Sequence, residues 1–203
     1  SVGPVVELYC TGFETDPFVD GWEFQGVPDD WDWGTPTGQN GDPLGAYEGT
    51  SAIGTAFGDQ FTQGLYSAGS STFAVSPVVD TSGFAEVRLQ YRRWLAVEDG
   101  FYDQATILVD GAVAWDNYAG PDMFDASNHH LDREWRFHDV ELSDWAADGE
   151  VQVAFTMTSD GGLEFGGWAV DELCIVGVEG VAPECGNGVV DAGEECDDGN
   201  DIA

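Results

Sequence analysis

The stretch Phe84-Ala-Glu-Val-Arg-Leu-Gln-Tyr-Arg-Arg-Trp-Leu95 alternates with a period of two. Val87, Leu89, Tyr91, Arg93 and Leu95 share one side, while Arg88, Gln90, Arg92 and Trp94 share the other, as in a strand with one buried face. Arg93 is the odd member of the apolar side: it pairs with a buried carboxylate, or the strand bulges or ends there. Outward from this stretch, similar short runs recur between turn signals at Val5 to Tyr9, Trp22 to Gln25, Ser51 to Gly54, Ser71 to Val75 and Thr106 to Val109. Further runs are Ala112 to Trp115, Glu134 to Leu142, Val151 to Thr158 and Trp168 to Val176. Asp110-Gly111 is a hairpin signal. The 28 glycines and 8 prolines are spread along the chain and no helical period lasts three turns, so an all-β antiparallel sandwich is predicted for residues 1–178. After Val178 the composition shifts to Gly, Glu, Pro and Asp, which reads as a linker over 179–184 followed by an incomplete module over 185–203.

The 203 residues carry 39 Asp plus Glu against 5 basic residues, a net charge of −34, and all five basic residues are arginines between 88 and 136. No positive patch is available to displace counterions, which excludes electrostatic binding of nucleic acid or of an anionic membrane surface. No apolar run reaches membrane-spanning length, so no direct membrane insertion is expected. With 42% hydrophobic residues, 8 Trp, 12 Phe and 6 Tyr, the chain has core material that disordered acidic segments lack. Charge spread in this way suits a salty extracellular medium, where screening lengths are short.

Cys10, Cys174, Cys185 and Cys196 are even in number and form no CxxC pair, which points to structural disulfides in an oxidising compartment. The first and last strands of antiparallel sandwiches are often neighbours, so Cys10–Cys174 with Cys185–Cys196 is the expected pairing. In the chain-entropy picture the long bridge is worth roughly 5 kcal/mol and the short one about 3. With no leader, lipidation motif or Asn-x-Ser/Thr sequon, the chain reads as a mature secreted or cell-surface fragment.

Two resemblances follow from particular motifs. The segment Cys185-Gly-Asn-Gly-Val-Val-Asp-Ala-Gly-Glu-Glu-Cys-Asp-Asp-Gly-Asn200 resembles the cysteine-rich repeat of secreted and surface proteins of myxobacteria. That implies an extracellular parent in which other domains are partners of this one. The body carries Gly12-Phe13-Glu14, Trp31-Asp32-Trp33-Gly34-Thr35-Pro36, Gly45-Ala46-Tyr47-Glu48-Gly49, Ser76-Pro77-Val78-Val79-Asp80 and Gly167-Trp168-Ala169-Val170-Asp171-Glu172. In this order they resemble the MAM-like, galactose-binding-like jelly-roll modules of adhesion proteins and secreted bacterial proteases, although the second cysteine pair of MAM domains is missing. The resemblance implies a two-sheet antiparallel jelly roll without intrinsic catalysis.

Related jelly rolls hold a structural calcium with an early Glu and a late Asp. Here Glu14 and Asp171 fill those places, and a Cys10–Cys174 bridge would bring them together. Asp16, Asp29, Asp30 and Asp32 are candidates for further oxygens of the six to eight that Ca²⁺ takes. The tail acids do not follow EF-hand spacing and read as a solvated run. For a ligand, Trp31 and Trp33 interleave with acids, and Asp99 and Asp103 flank Phe101 and Tyr102 in a second acidic-aromatic loop. Aromatic faces with carboxylates hold sugars, although tryptophans of this density also fill sandwich cores. His129 and His130 are adjacent, so on a strand they diverge and make no zinc pair; they are expected to be exposed in a loop. There is no GxSxG, HExxH, P-loop or GxGxxG. The sequence therefore points to a non-catalytic, calcium-stabilised extracellular module binding a carbohydrate or protein. The alternative is an accessory folding or docking domain of a secreted hydrolase such as a metalloprotease.

Overall fold

Most of the predicted alternation becomes strands. The structure, a computed structural model, describes residues 3–57, 63–117 and 128–179. In chain order the strands are β1 Val5–Thr11, β2 Glu23–Val27, β3 Trp31–Gly34, β4 Ala52–Thr55 and β5 Ser71–Val75. There follow β6 Val79–Asp80, β7 Glu86–Val97, β8 Gln104–Val109, β9 Ala112–Asp116 and β10 His130–Leu131. The last are β11 Arg136–Glu141, β12 Glu150–Val151, β13 Val153–Thr158 and β14 Gly167–Val178. A single turn of 3₁₀ helix, Ala146–Asp148, is the one helical element among the described residues.

These strands form a two-sheet antiparallel jelly-roll sandwich. In the seven-stranded sheet β14 is central: one edge pairs with β7, and the other is shared by β4, at Ala169 and Val170, and β1, at Leu173 to Val178. The far edge of β7 takes β10 and β11. The opposing sheet runs β2-β5-β13-β8-β9, and β6 with β12 closes one end. At Asp110 (φ 50°) and Gly111 (φ 82°) both turn residues are left-handed, so the predicted hairpin between β8 and β9 is the type I′ turn that matches strand twist.

The predicted alternation of β7 is real, because Val87, Leu89, Tyr91, Leu95 and Val97 are all fully buried. They meet Phe155 of β13 and Trp168 of β14, whose rings form an edge-to-face chain from Tyr91 at 5.1 and 5.4 Å. Each such large side chain contributes roughly 1.5–3 kcal/mol by leaving water. Arg93 faces inward and takes the first of its two expected options. Its Nε donates to Asp132 Oδ2 at 3.1 Å, and Asp132 also accepts the Leu95 N–H and pairs with Arg136 at 3.0 Å.

Cys10 and Cys174 are bonded and stand opposite each other in the β1–β14 ladder. Cys185, Cys196 and the linker beyond Glu179 lie outside the described residues. Both long ladders through β14 carry a bulge, and in β14 an extra residue falls between Asp171 and Cys174, with Glu172 at φ 45°. Bulges redirect side chains. This one lies in the floor of the cleft described next.

Candidate functional site

The outer face of the seven-stranded sheet is polar along β7, as its alternation requires, but it is not bare. The connection between β3 and β4 crosses it, and Trp94 and Trp135 pack beneath that connection with Ala46 against a small buried cluster of Ala52, Phe57 and Ala169. Trp94 Nε1 donates to Gly41 O at 2.6 Å, and Trp135 Nε1 to Gly45 O at 3.2 Å. Two acids hold the rest of the crossing. Asp171 Oδ2 accepts the N–H groups of Tyr47 (2.8 Å) and Glu48 (3.2 Å), while Glu14 Oε1 accepts those of Thr50 (2.9 Å) and Ser51 (2.8 Å). Gly49 is required between them, since a Cβ there would collide with the Glu14 carboxylate.

The clamped segment ends at the wall of an open cleft of about 300 Å³, lined by Tyr47, Glu48, Gln90, Arg92, Phe137, Glu172 and Cys174. The Arg92 guanidinium carbon lies 4.3 Å from the Tyr47 ring centre and 5.4 Å from that of Phe137. Phe137 is 55% exposed and Tyr47 42%, so both aromatic rings present surface to solvent beside the guanidinium. Phe137 pairs with Arg92 in the β7–β11 ladder, which fixes their relation through the backbone. Sequence reasoning missed this cleft. The signal was present in Trp135 and Phe137, aromatic residues on the outward side of the β11 alternation.

The expected calcium ligands are used differently. Glu14 and Asp171 are both brought to the 47–51 segment, but as acceptors of its backbone N–H groups rather than as part of a converging group of acids. The N–H bonds from Ser51 and Thr50 hold the Glu14 carboxyl below its ordinary range. Burial pushes Asp171 up to about 6 against the lowering by the Glu48, Glu172 and Tyr47 N–H groups. Both lone pairs of Glu14 Oε1 and of Asp171 Oδ2 are thereby engaged, so these oxygens do not fit a cation shell. Asp16 caps its own turn by accepting the Phe18 N–H at 2.9 Å, Asp30 accepts the Ser67 N–H and hydroxyl, and Asp32 lies half-buried in β3.

The expected ligand residues also separate. Trp31 is 4% exposed and belongs to the core, which removes its ring as a stacking surface; Trp33, on the same strand, is at the surface and donates to Phe13 O at 2.7 Å. Asp99 and Asp103 are buried, so neither is a surface contact for a ligand. His129 and His130 are half-buried rather than exposed, and they diverge as adjacent strand-like residues must: His129 Nδ1 accepts the Asp99 N–H and its ring meets Phe165, while His130 Nε2 lies 3.0 Å from Arg93 Nη2.

A second group of acids occupies the end of the sandwich where β7 passes to β8 and β13 to β14. Oxygens of Glu98, Asp103 and Asp160 lie within 4.8 Å of one another. Asp103 is satisfied, accepting the Tyr66 hydroxyl at 2.5 Å and the Asp160 N–H at 2.8 Å. Burial pushes Glu98 up to about 7, helped by the charges of Asp103, Asp160, Asp99 and Glu164. Among the described residues the other group with ligand spacing, Glu7 with Cys10 and Cys174, has its sulfurs in the disulfide.

No family model matches the chain, and no curated protein does. Several solved structures are similar to it. The K3 cleaved adhesin domain of Lys-gingipain from Porphyromonas gingivalis is 13% identical, with 85% of this chain and 99% of that one covered at a TM-score of 0.50. The K1 cleaved adhesin domain of the same protein is 18% identical over 85% and 98% at a TM-score of 0.48. A structure of carbohydrate-binding modules from the β-sandwich superfamily is 15% identical over 81% and 60% at 0.44. The likeness is one of fold. Among the described residues no helix is long and apolar enough to cross a membrane.

Proposed function

We propose that this chain is a non-catalytic extracellular binding module whose ligand is a carbohydrate held in the Tyr47–Arg92–Phe137 cleft. The observation that carries the reading is the exposed aromatic pair flanking one guanidinium on a sheet face, with the Gln90 amide and the Glu48 and Glu172 carboxylates beside it. Sugars present apolar C–H faces that pack on aromatic rings and hydroxyls that bond to guanidinium, amide and carboxylate groups. One cation with two acids around the cleft favours a neutral or amino sugar over an acidic one, because an added anion would face a net negative rim. The occurrence of this fold as an adhesin domain supports a binding role, and the Cys10–Cys174 bridge supports an oxidising, extracellular setting. A MAM-like ancestry and stabilisation by calcium belong to this reading.

The test is a glycan array in calcium-containing buffer with the parent protein and an Arg92→Ala variant. A neutral or amino glycan should be retained by the parent and bound at least tenfold more weakly by the variant. Silence of the parent on all glycans, or equal binding by the variant, overturns the carbohydrate assignment.

A further inference from the structure

Acids outnumber arginines so heavily here that most strand arginines are claimed by carboxylates. Arg88 meets Glu86, Asp139 and Glu141, while Arg93 and Arg136 share Asp132. Arg92 is the exception among the described strand arginines: only the Tyr47 and Phe137 rings pack on its guanidinium, although Glu48 and Glu172 line the same cleft. Those two carboxylates likewise bond to no described residue, and their backbones alone are held. Exposed acids without protein partners are ordinary on this surface. What sets Glu48 and Glu172 apart is that one carboxylate positions both: Asp171, fully buried, accepts the N–H groups of Tyr47, Glu48 and Glu172 at 2.8, 3.2 and 2.8 Å. The wall of the cleft is therefore fixed before a ligand arrives, with charges of both signs kept apart rather than neutralising one another.

We infer that the sugar unit held in this cleft carries a free, protonated amine, seated between Glu48 and Glu172 while its hydroxyls face Arg92; this rests on the carbohydrate reading above. An ammonium brings three N–H donors and a unit charge, which suits carboxylates, whereas a guanidinium has donors only and so takes hydroxyl oxygens. Repulsion from Arg92 turns the amine toward the acids, so the two signs of charge set one orientation. N-acetylation removes the charge, and a hydroxyl in place of the amine leaves both carboxylates with a weaker, neutral partner. The net charge of −34 adds a field that draws cations toward the whole molecule. A basic peptide shares that attraction, but at the cleft β7 is paired with β14 at Arg92–Asp171 and with β11 at Arg92–Phe137, so no free strand edge is left there for a peptide backbone. Exposed rings beside groups that bond hydroxyls favour the sugar.

Calorimetric titration of the full chain with tetramers of glucosamine, N-acetylglucosamine and glucose in one linkage tests it. The glucosamine tetramer should bind at least about tenfold more tightly than the other two. In the double variant Glu48→Gln/Glu172→Gln the three should fall within about threefold of one another. Glu23→Gln/Glu150→Gln removes the same charge outside the cleft and should keep the preference; all four residues are exposed, so the fold is retained in both variants. Equal or tighter binding of the acetylated or hydroxyl tetramer overturns the inference while the carbohydrate reading stands. So does a preference that survives in Glu48→Gln/Glu172→Gln or is lost in Glu23→Gln/Glu150→Gln. Tetralysine binding as tightly as the glucosamine tetramer overturns it too, since charge alone then suffices. Silence on all three tetramers overturns it and, together with a silent glycan array, the carbohydrate reading as well.

Discussion

His138 shows how a single inward-facing residue couples the core to pH. It lies on the inward side of the β11 alternation with Val140 and enters an aromatic cage, with Trp115 at 5.0 Å and Tyr91 at 5.3 Å between ring centres, and its Nδ1 lies 2.7 Å from the Tyr91 hydroxyl. Burial, with the Arg93 guanidinium adding to it, pushes the imidazole down to about 4. The titratable and charged groups facing it are Arg93, Asp132, Asp139 and the His130 ring. Because the folded value lies below the ordinary one, the unfolded chain binds the extra proton between about pH 6.5 and 4. Stability from neutral His138 is therefore complete above pH 6.5 and lost as pH falls through that window. The full shift corresponds to roughly 3 kcal/mol, and solvent screening of a partly exposed ring reduces it to about 1–2 kcal/mol. Urea unfolding at pH 7.5 and 4.5 should show the parent losing about that much more than His138→Gln; parallel losses would contradict it. Asp42, which burial pushes up to about 8, acts in the opposite direction, with stability falling as pH rises from 4 to 8, but equally in both proteins.

At the scale of elements, the β3–β4 connection is a surface segment held almost entirely by side chains reaching to its backbone. Glu14 and Asp171 supply four of those bonds, so Glu14→Ala should raise amide hydrogen exchange at Thr50 and Ser51 about tenfold while leaving β13 unchanged. Exchange that stays slow would mean the segment is held by Asp171 and the Trp94 and Trp135 indoles without need of Glu14. Where an element carries its own alternation, the sequence was sufficient: β7, β8, β13 and β14 were all expected within two residues of their ends. The pairs β6–β12 and β10–β7 are two-residue contacts that exist because a partner is nearby, and nothing local marks them. β3 was read as a motif and not a strand: Trp31 and Trp33, two residues apart, fall on one face by the strand period, yet one is buried and the other at the surface, so no burial alternation marks the strand. The nearness of Glu14 and Asp171 to one segment followed from the disulfide, yet their use as N–H acceptors depends on the path of a long connection that no local pattern encodes. Glu98 was noticed only as part of an acidic-aromatic loop, since its nearness to Asp103 and Asp160 is visible only when loops from two sheets are assembled.

For the whole molecule, 39 acids against 5 arginines leave at least 34 carboxylates without a basic side chain of their own. The described ion pairs gather on Arg88, Arg93 and Arg136, and Arg92 and Arg133 lie in the same β7–β11 region, so the charge elsewhere on the chain is acidic. Spread over the area expected for a chain of this size, neighbouring net charges stand about 16 Å apart and repel by ~0.3 kcal/mol each in unscreened water. Folding holds them at that spacing, whereas the unfolded chain relaxes it. The Debye length falls from ~30 Å at 0.01 M salt to ~3 Å at 1 M, which spans the spacing. Sodium chloride should therefore raise the melting temperature steadily over this range, by roughly 5 °C or more for 2 kcal/mol of relieved repulsion, and potassium chloride should do the same. A flat curve would mean that the charge is already neutralised by bound protons or ions. Calcium at 1 mM adds almost nothing to ionic strength, so a shift at that concentration reports site binding, and the two measurements together separate dispersed repulsion from a cation held at a site.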